Sequence, residues 1–155
     1  MKPRPRLRLG YRLQLRRRFR LADSAQQIVG GFLLAGPFVV TEEVWLLADN
    51  MSLLQALITV CIVGLIGYAA LYRADTKRDP TTEQQVAGIP VRFISLMIVA
   101  FGSVTILALV FDAPDTFVGA AGGLTTLEIA LVTGKAVSVG AVFSVVGAAT
   151  ADSVF

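Results

Sequence analysis

The sequence contains no histidine and a single cysteine, Cys61. Without histidine, the chain lacks the commonest metal ligand and the side chain that usually serves as a general base or pH switch. One cysteine excludes an intrachain disulfide and a cysteine metal site. No phosphate-binding loop, dinucleotide fingerprint, nucleophile elbow or metalloprotease helix occurs either. We therefore predict a protein that is not an enzyme and that uses no cofactor and no metal.

Charged residues are scarce and unevenly placed. They make up 16% of the chain, against about 25% in a typical soluble domain. None occurs from Leu53 to Tyr72 or from Phe93 to Phe111, and each of these stretches approaches the roughly 20 residues needed to cross the hydrocarbon core of a bilayer. The composition indicates an integral membrane protein.

The pattern of apolar stretches and polar turns predicts an all-α, polytopic membrane protein with four transmembrane helices. A basic tail, residues 1–23, precedes a membrane domain, residues 24–155. We place the spans at about 28–48, 53–72, 91–111 and 124–149, and we expect Pro37 to kink the first. Residues 117–123 could alternatively form a short re-entrant segment.

Basic residues predict the orientation. Nine of the fourteen Lys and Arg residues lie in the tail and four lie in the loop from Arg73 to Arg92, whereas the two opposite turns have none. The positive-inside rule then places both termini in the cytoplasm of a multi-pass plasma-membrane protein. The tail lacks the pattern of a signal peptide. We expect it to contact anionic lipid headgroups, as an interfacial helix if it is ordered, and not to bind nucleic acid.

Acidic residues inside predicted spans are the candidate functional residues. Glu42 and Glu43 follow Thr41 in the first span, and a carboxylate in hydrocarbon costs about 2.5 kcal/mol or more. Thr125 and Glu128 are predicted at a similar level in the last span. Lys135 lies two helical turns further in, which predicts an ammonium group near mid-membrane that pairs with Glu43, Glu42 or Glu128.

Asp49, Asp112 and Asp115 are predicted at the outer mouth above these groups, where they would concentrate cations. We predict that these residues form the path of a proton or small-cation channel or transporter. The alternative is a structural ion pair that fixes helix docking in a non-transporting scaffold or accessory subunit.

Small residues recur every fourth position in the last span, at Ala136, Gly140, Ser144 and Ala148. This spacing permits close helix contact in lipid. The stripe could pack inside the bundle or form a homo-oligomer face, and we expect a homo-oligomer because four helices enclose little interior. Trp45 and Tyr72 are expected to be interfacial anchors.

Two segments resemble an uncharacterised family of archaeal and bacterial integral membrane proteins, known only as a domain of unknown function. They are Gly30-Gly31-Phe32-Leu33-Leu34-Ala35-Gly36-Pro37, followed by Thr41-Glu42-Glu43-Val44-Trp45, and the later Gly134-Lys135-Ala136-Val137-Ser138-Val139-Gly140-Ala141. The chain departs from that family at Val137, where a proline is expected. The resemblance extends over residues 25–148, implies a multi-span membrane protein, and adds no activity.

Overall fold

The computed structural model describes residues 21–74 and 78–154. Within them the chain forms six α-helices: α1 Leu21–Val39, α2 Glu42–Asn50, α3 Leu53–Tyr72, α4 Val91–Val110, α5 Ala113–Phe117 and α6 Thr126–Val154. A two-residue hairpin precedes α4, with β1 Gln85–Val86 paired antiparallel to β2 Ile89–Pro90. A short 3-10 turn, Gly119–Ala121, follows α5. The predicted tail helix falls on residues 1–20, outside the described part.

Three helices, α3, α4 and α6, are long and apolar enough to cross a membrane. The pair α1–α2 makes a fourth span only if the two bent helices count as one. The prediction of a helical, multi-span membrane protein is confirmed at this level. Many large apolar side chains on these helices face outward, as lipid contact requires.

The first predicted span is not one helix. The sequence placed it at 28–48 with a kink at Pro37, whereas α1 starts at Leu21, includes Pro37 and ends at Val39. The chain then bends by 81° into α2. Pro37 lacks an N–H and disfavours a helical conformation in the residue before it, and the helix breaks within one turn after it.

The stripe of small residues on α6 packs inside the bundle, with Ala136, Gly140, Ser144 and Ala148 all buried. A Cβ added to Gly140 would lie 2.7 Å from Val104 of α4. On the side facing α1, Gly30 and Gly147 are so close that a Cβ on either would overlap the other's carbonyl oxygen. Of the two interpretations, the structure therefore supports internal packing.

The buried apolar residues form two clusters, one toward each end of the bundle. We call the end where α1 starts and α6 stops the terminal end, and the opposite one the far end. The terminal cluster joins α3, α4 and α6 around Val63, Leu96 and Val145. The far cluster joins α1, α2, α4 and α6 around Val39, Trp45 and Ala136.

Candidate functional site

Glu42 and Glu43 lie in the first turn of α2 and are exposed. Asp23 of α1 meets Arg92 at the start of α4, and the helix from Asp23 to Val39 rises by about 24 Å, most of the roughly 30 Å of hydrocarbon. If α4 starts at one interface, the bend at Thr41 lies near the other. The carboxylates therefore sit at the far end of the bundle, beside the positive end of a helix dipole. The expectation that both lie at bilayer depth rested on a straight helix, which the structure does not have.

Trp45 satisfies the backbone at this bend. Its Nε1 donates a hydrogen bond to the Val39 carbonyl at 2.9 Å, and the Thr41 hydroxyl donates to the Phe38 carbonyl at 2.9 Å. Trp45 is only 2% exposed and stacks on Phe117 with a ring distance of 5.8 Å. The expectation of an interfacial anchor was therefore wrong for Trp45, because the helix break turns its side chain into the core.

Thr125 and Glu128 form a helix cap. The Glu128 carboxylate accepts hydrogen bonds from the backbone N–H and the hydroxyl of Thr125, and the Glu128 N–H donates to the Thr125 hydroxyl. This is the reciprocal capping box of a Thr-x-x-Glu sequence at a helix start. The sequence signal was present at 125–128, and it accounts for Glu128 without any ion path.

Lys135 lies nearer the far end than predicted. Along the antiparallel pair α4–α6, Arg92 meets Asp152 and Ser103 meets Ser144. Lys135 lies nine residues before Ser144, and the same step from Ser103 along α4 reaches the end of that helix. Lys135 is therefore level with the end of α4, and not at mid-membrane. Its side chain is half-buried, and among the described residues no carboxylate lies within ion-pair distance of it. The predicted pairing with Glu42, Glu43 or Glu128 is therefore not formed.

The space between α1, α2, α4 and α6 at the far end is apolar. A cavity of about 10 Å³ lies there, which is room for about one water molecule. Its lining consists of Phe38, Val39, Val44, Trp45, Val104, Ala108, Ala136, Val137 and Gly140. This cavity provides no polar chamber between the first and last helices. The predicted outer mouth residues Asp49, Asp112 and Asp115 are all exposed.

The main buried polar cluster of the described residues lies at the terminal end instead, around Asp152 of α6. The side chain of Asp152 is fully buried. It accepts hydrogen bonds from Arg92 of α4 at 2.7 Å, from Arg78 of the loop at 2.5 Å and from Gln27 of α1 at 3.1 Å. Arg78 also donates to the backbone carbonyl of Asp152 at 2.7 Å. One carboxylate thus connects two helices and a loop to the end of α6.

Arg92 extends this cluster to further acidic side chains. Its guanidinium donates to Asp23 at the start of α1 at 3.1 Å, and its Nε lies 3.4 Å from a carboxylate oxygen of Glu83. Tyr72, the last residue of α3, donates to the other Glu83 oxygen at 2.8 Å. Tyr72 is 6% exposed, so it is a buried hydrogen-bond donor and not the interfacial anchor that the sequence suggested.

The loop that supplies Arg78 and Glu83 has local order of its own. The hydroxyl and backbone N–H of Thr81 donate to the carboxylate of Asp79. These hydrogen bonds favour the ionised form and hold the pKa of Asp79 below its ordinary value. The turn helps to position Arg78 and Glu83 over the terminal end.

Hydroxyl and amide groups continue the polar cluster into the bundle. The Gln27 carbonyl oxygen accepts from Ser95 at 2.7 Å. Deeper in the bundle, one turn from Gln27 on α1 and about two turns from Ser95 on α4, Ser144 is hydrogen-bonded to Ser103 at 2.8 Å and donates to the Gly31 carbonyl at 3.1 Å. Beyond them, Gly140 packs on Val104 and the apolar far cluster begins. This series of hydrogen bonds between helices therefore reaches about halfway along the bundle, whereas Thr105 and the buried Ser138 beyond it bond to carbonyls of their own helices.

Sequence reasoning missed this cluster, although one signal pointed to it. Asp152 is the sole charged residue after Lys135, and it lies in the last turn of a helix, where the helix dipole disfavours a negative charge. Such a residue needs a cation. Arg78 and Arg92 were counted only as orientation signals, and their partners in a distant helix could not be read from spacing.

Carboxylates of the described residues offer no metal site, since no group of three His, Cys, Asp or Glu side chains is arranged to hold an ion there. Comparisons with protein-family models, curated proteins and solved structures gave no match. The resemblance noted from the sequence is thus supported only in its coarse form, a membrane protein with three to four apolar helices.

Proposed function

We propose that this protein is a non-transporting membrane scaffold or accessory subunit, and that the Asp152 cluster fixes how its helices dock. The observation that carries the proposal is the fully buried Asp152 side chain, bound by Arg92, Arg78 and Gln27. Buried ion pairs are weak sources of net stability, but breaking one is costly. The cluster connects α1, α4, α6 and the loop. It therefore favours one arrangement of these helices over others.

A scaffold needs a surface for its partner. The small-residue stripe is used inside the bundle, so it is not available for this purpose. The basic tail, with nine Lys and Arg residues at or before Arg20, is the better candidate. We propose that it binds an acidic segment of a partner or the anionic lipid around that partner, on the cytoplasmic side of the plasma membrane. Homo-oligomer formation remains a prediction, without support from the stripe.

Co-purification from native membranes tests the scaffold proposal. We expect one partner in fixed stoichiometry, and we expect its recovery to fall when Arg16, Arg17 and Arg18 are changed to Gln. The control variant Arg73→Gln removes a basic residue from the loop and should retain the partner. Recovery of the full chain alone from native membranes, or equal recovery of the partner with both variants, would contradict the proposal.

A second candidate is a channel or transporter for protons or small cations that uses the sequence-predicted residues. The observation that favours it is the line of polar groups from Asp152 through Gln27 to Ser144, which reaches mid-bundle. The apolar layer around Val104 and Ala136 would have to open. In liposomes, this candidate predicts a proton or monovalent-cation flux that Glu43→Gln and Lys135→Met reduce, while Asp79→Asn, in the loop, does not.

A further inference from the structure

A lateral groove opens at the far end of the bundle, where α1 bends into α2. Its walls come from the end of α1, the start of α2 and the middle of α6. The residues that line it are Pro37, Phe38, Thr41, Glu43, Val44, Leu47, Val139 and Phe143. Within this lining, the rings of Phe38 and Phe143 stack face to face, with 3.6 Å between their centroids. All but two of the lining side chains are apolar.

One charged residue lines this groove, and a second, of opposite charge, lies one helical turn beyond its lining on α6. Glu43 is one of its lining residues. On α6, Lys135 is one helical turn before Val139 and therefore on the same face. The register between α1 and α6, in which Gln27 meets Asp152 and Gly31 meets Ser144, places Lys135 level with the bend near Thr41. A carboxylate and an ammonium group thus share one depth without forming an ion pair with each other.

We infer that the groove binds one phospholipid with an amine headgroup, in the leaflet at the far end. The ammonium group of the lipid pairs with Glu43, and its phosphate attracts Lys135, whose side chain is long enough to reach headgroup level. One acyl chain lies against Phe143, Val139 and Leu47. An amine headgroup offers a cation to Glu43 and an anion to Lys135, whereas an anionic glycerol headgroup offers no cation to Glu43. This inference does not depend on the proposed scaffold function.

Native mass spectrometry of the full chain in detergent tests the inference. The probes are phosphatidylethanolamine and phosphatidylglycerol with identical acyl chains. We expect wild type to retain phosphatidylethanolamine preferentially, and Glu43→Gln to reduce that retention about tenfold, the effect of losing one charged contact. Lys135→Met should reduce retention of both lipids.

Glu42→Gln is the matched control, because Glu42 has the same chemistry and is next in sequence but does not line the groove. It should leave retention unchanged. The emission of Trp45, which packs beside the bend, verifies that each variant is folded. Equal retention of the two lipids by wild type, or equal losses in Glu42→Gln and Glu43→Gln, would overturn the assignment.

Discussion

Asp152 is an acidic side chain at the wrong end of a helix dipole, and its environment compensates for this. Two guanidinium groups and one amide surround it, so its negative charge offsets the charges of Arg92 and Arg78. At the scale of single residues, removal of the Asp152 carboxylate should disturb the protein most. Arg92 and Arg78 would both lose their shared buried anion.

We predict that Asp152→Asn lowers the free energy of unfolding by about 3–5 kcal/mol, the usual cost of breaking a buried ion pair. Unfolding in detergent, followed by helical circular dichroism, measures the change. Asp49→Asn is the control, because it makes the same substitution at an exposed position and should change stability by less than about 0.5 kcal/mol. Similar losses in the two variants would contradict the assigned role.

Trp45 gives a second test at this scale, since it is the sole tryptophan in the chain. Its 2% exposure and its hydrogen bond to the Val39 carbonyl predict blue-shifted emission that is weakly quenched by aqueous acrylamide. A tryptophan at the membrane interface would instead be quenched readily. Readily quenched, red-shifted emission would show that the helix break does not bury Trp45.

Secondary-structure elements differ in how far the sequence predicts them. Uniform apolar composition between polar turns marked α3 and α4, because a bilayer fixes both the length and the polarity of a span. Ser52 precedes α3 in the sequence and caps it, since its side chain accepts from the Gln55 N–H. For these elements, local chemistry was sufficient.

The first span was mispredicted because its shape depends on tertiary contacts. Pro37 indicated a kink, but an 81° bend that buries Trp45 needs the surfaces of α4, α5 and α6. The candidate site inherited this error, since the depth of Glu43 was estimated for a first span without the bend. The Asp152 cluster was missed for a related reason: the hydrogen-bonded pair Gln27 and Asp152 is 125 positions apart in sequence, and no local pattern joins the members of the cluster.

The contact between α1 and α6 provides a test at the scale of elements. We predict that Gly30→Ala destabilises the bundle by about 2 kcal/mol or more, because the added methyl group would overlap the Gly147 carbonyl oxygen. Gly134→Ala, at an exposed position of α6, has open space at its Cβ and should be neutral or stabilising. Thermal unfolding of the two variants measures the difference. Equal stability would contradict the close approach of the two helices.

The whole molecule is arranged in layers along the bundle. Ionic and amide groups lie at the terminal end, paired serines lie near the middle, and the contacts between helices in the far half are mainly apolar. A continuous path for ions would have to cross the apolar layer around Val104 and Ala136, where the cavity that these residues line holds about one water molecule. Because apolar packing would block such a path, we propose a scaffold in preference to a transporter.

Aqueous accessibility of the apolar layer tests this account most directly. In a Cys61→Ser background, Val104→Cys and Ala136→Cys place single thiols in the layer, and Thr82→Cys in the loop serves as the reactive control. With the protein in liposomes and a charged thiol reagent present on both sides, we predict that position 82 reacts while positions 104 and 136 do not. Rapid reaction at 104 and 136 would show a water-filled interior and contradict the scaffold account.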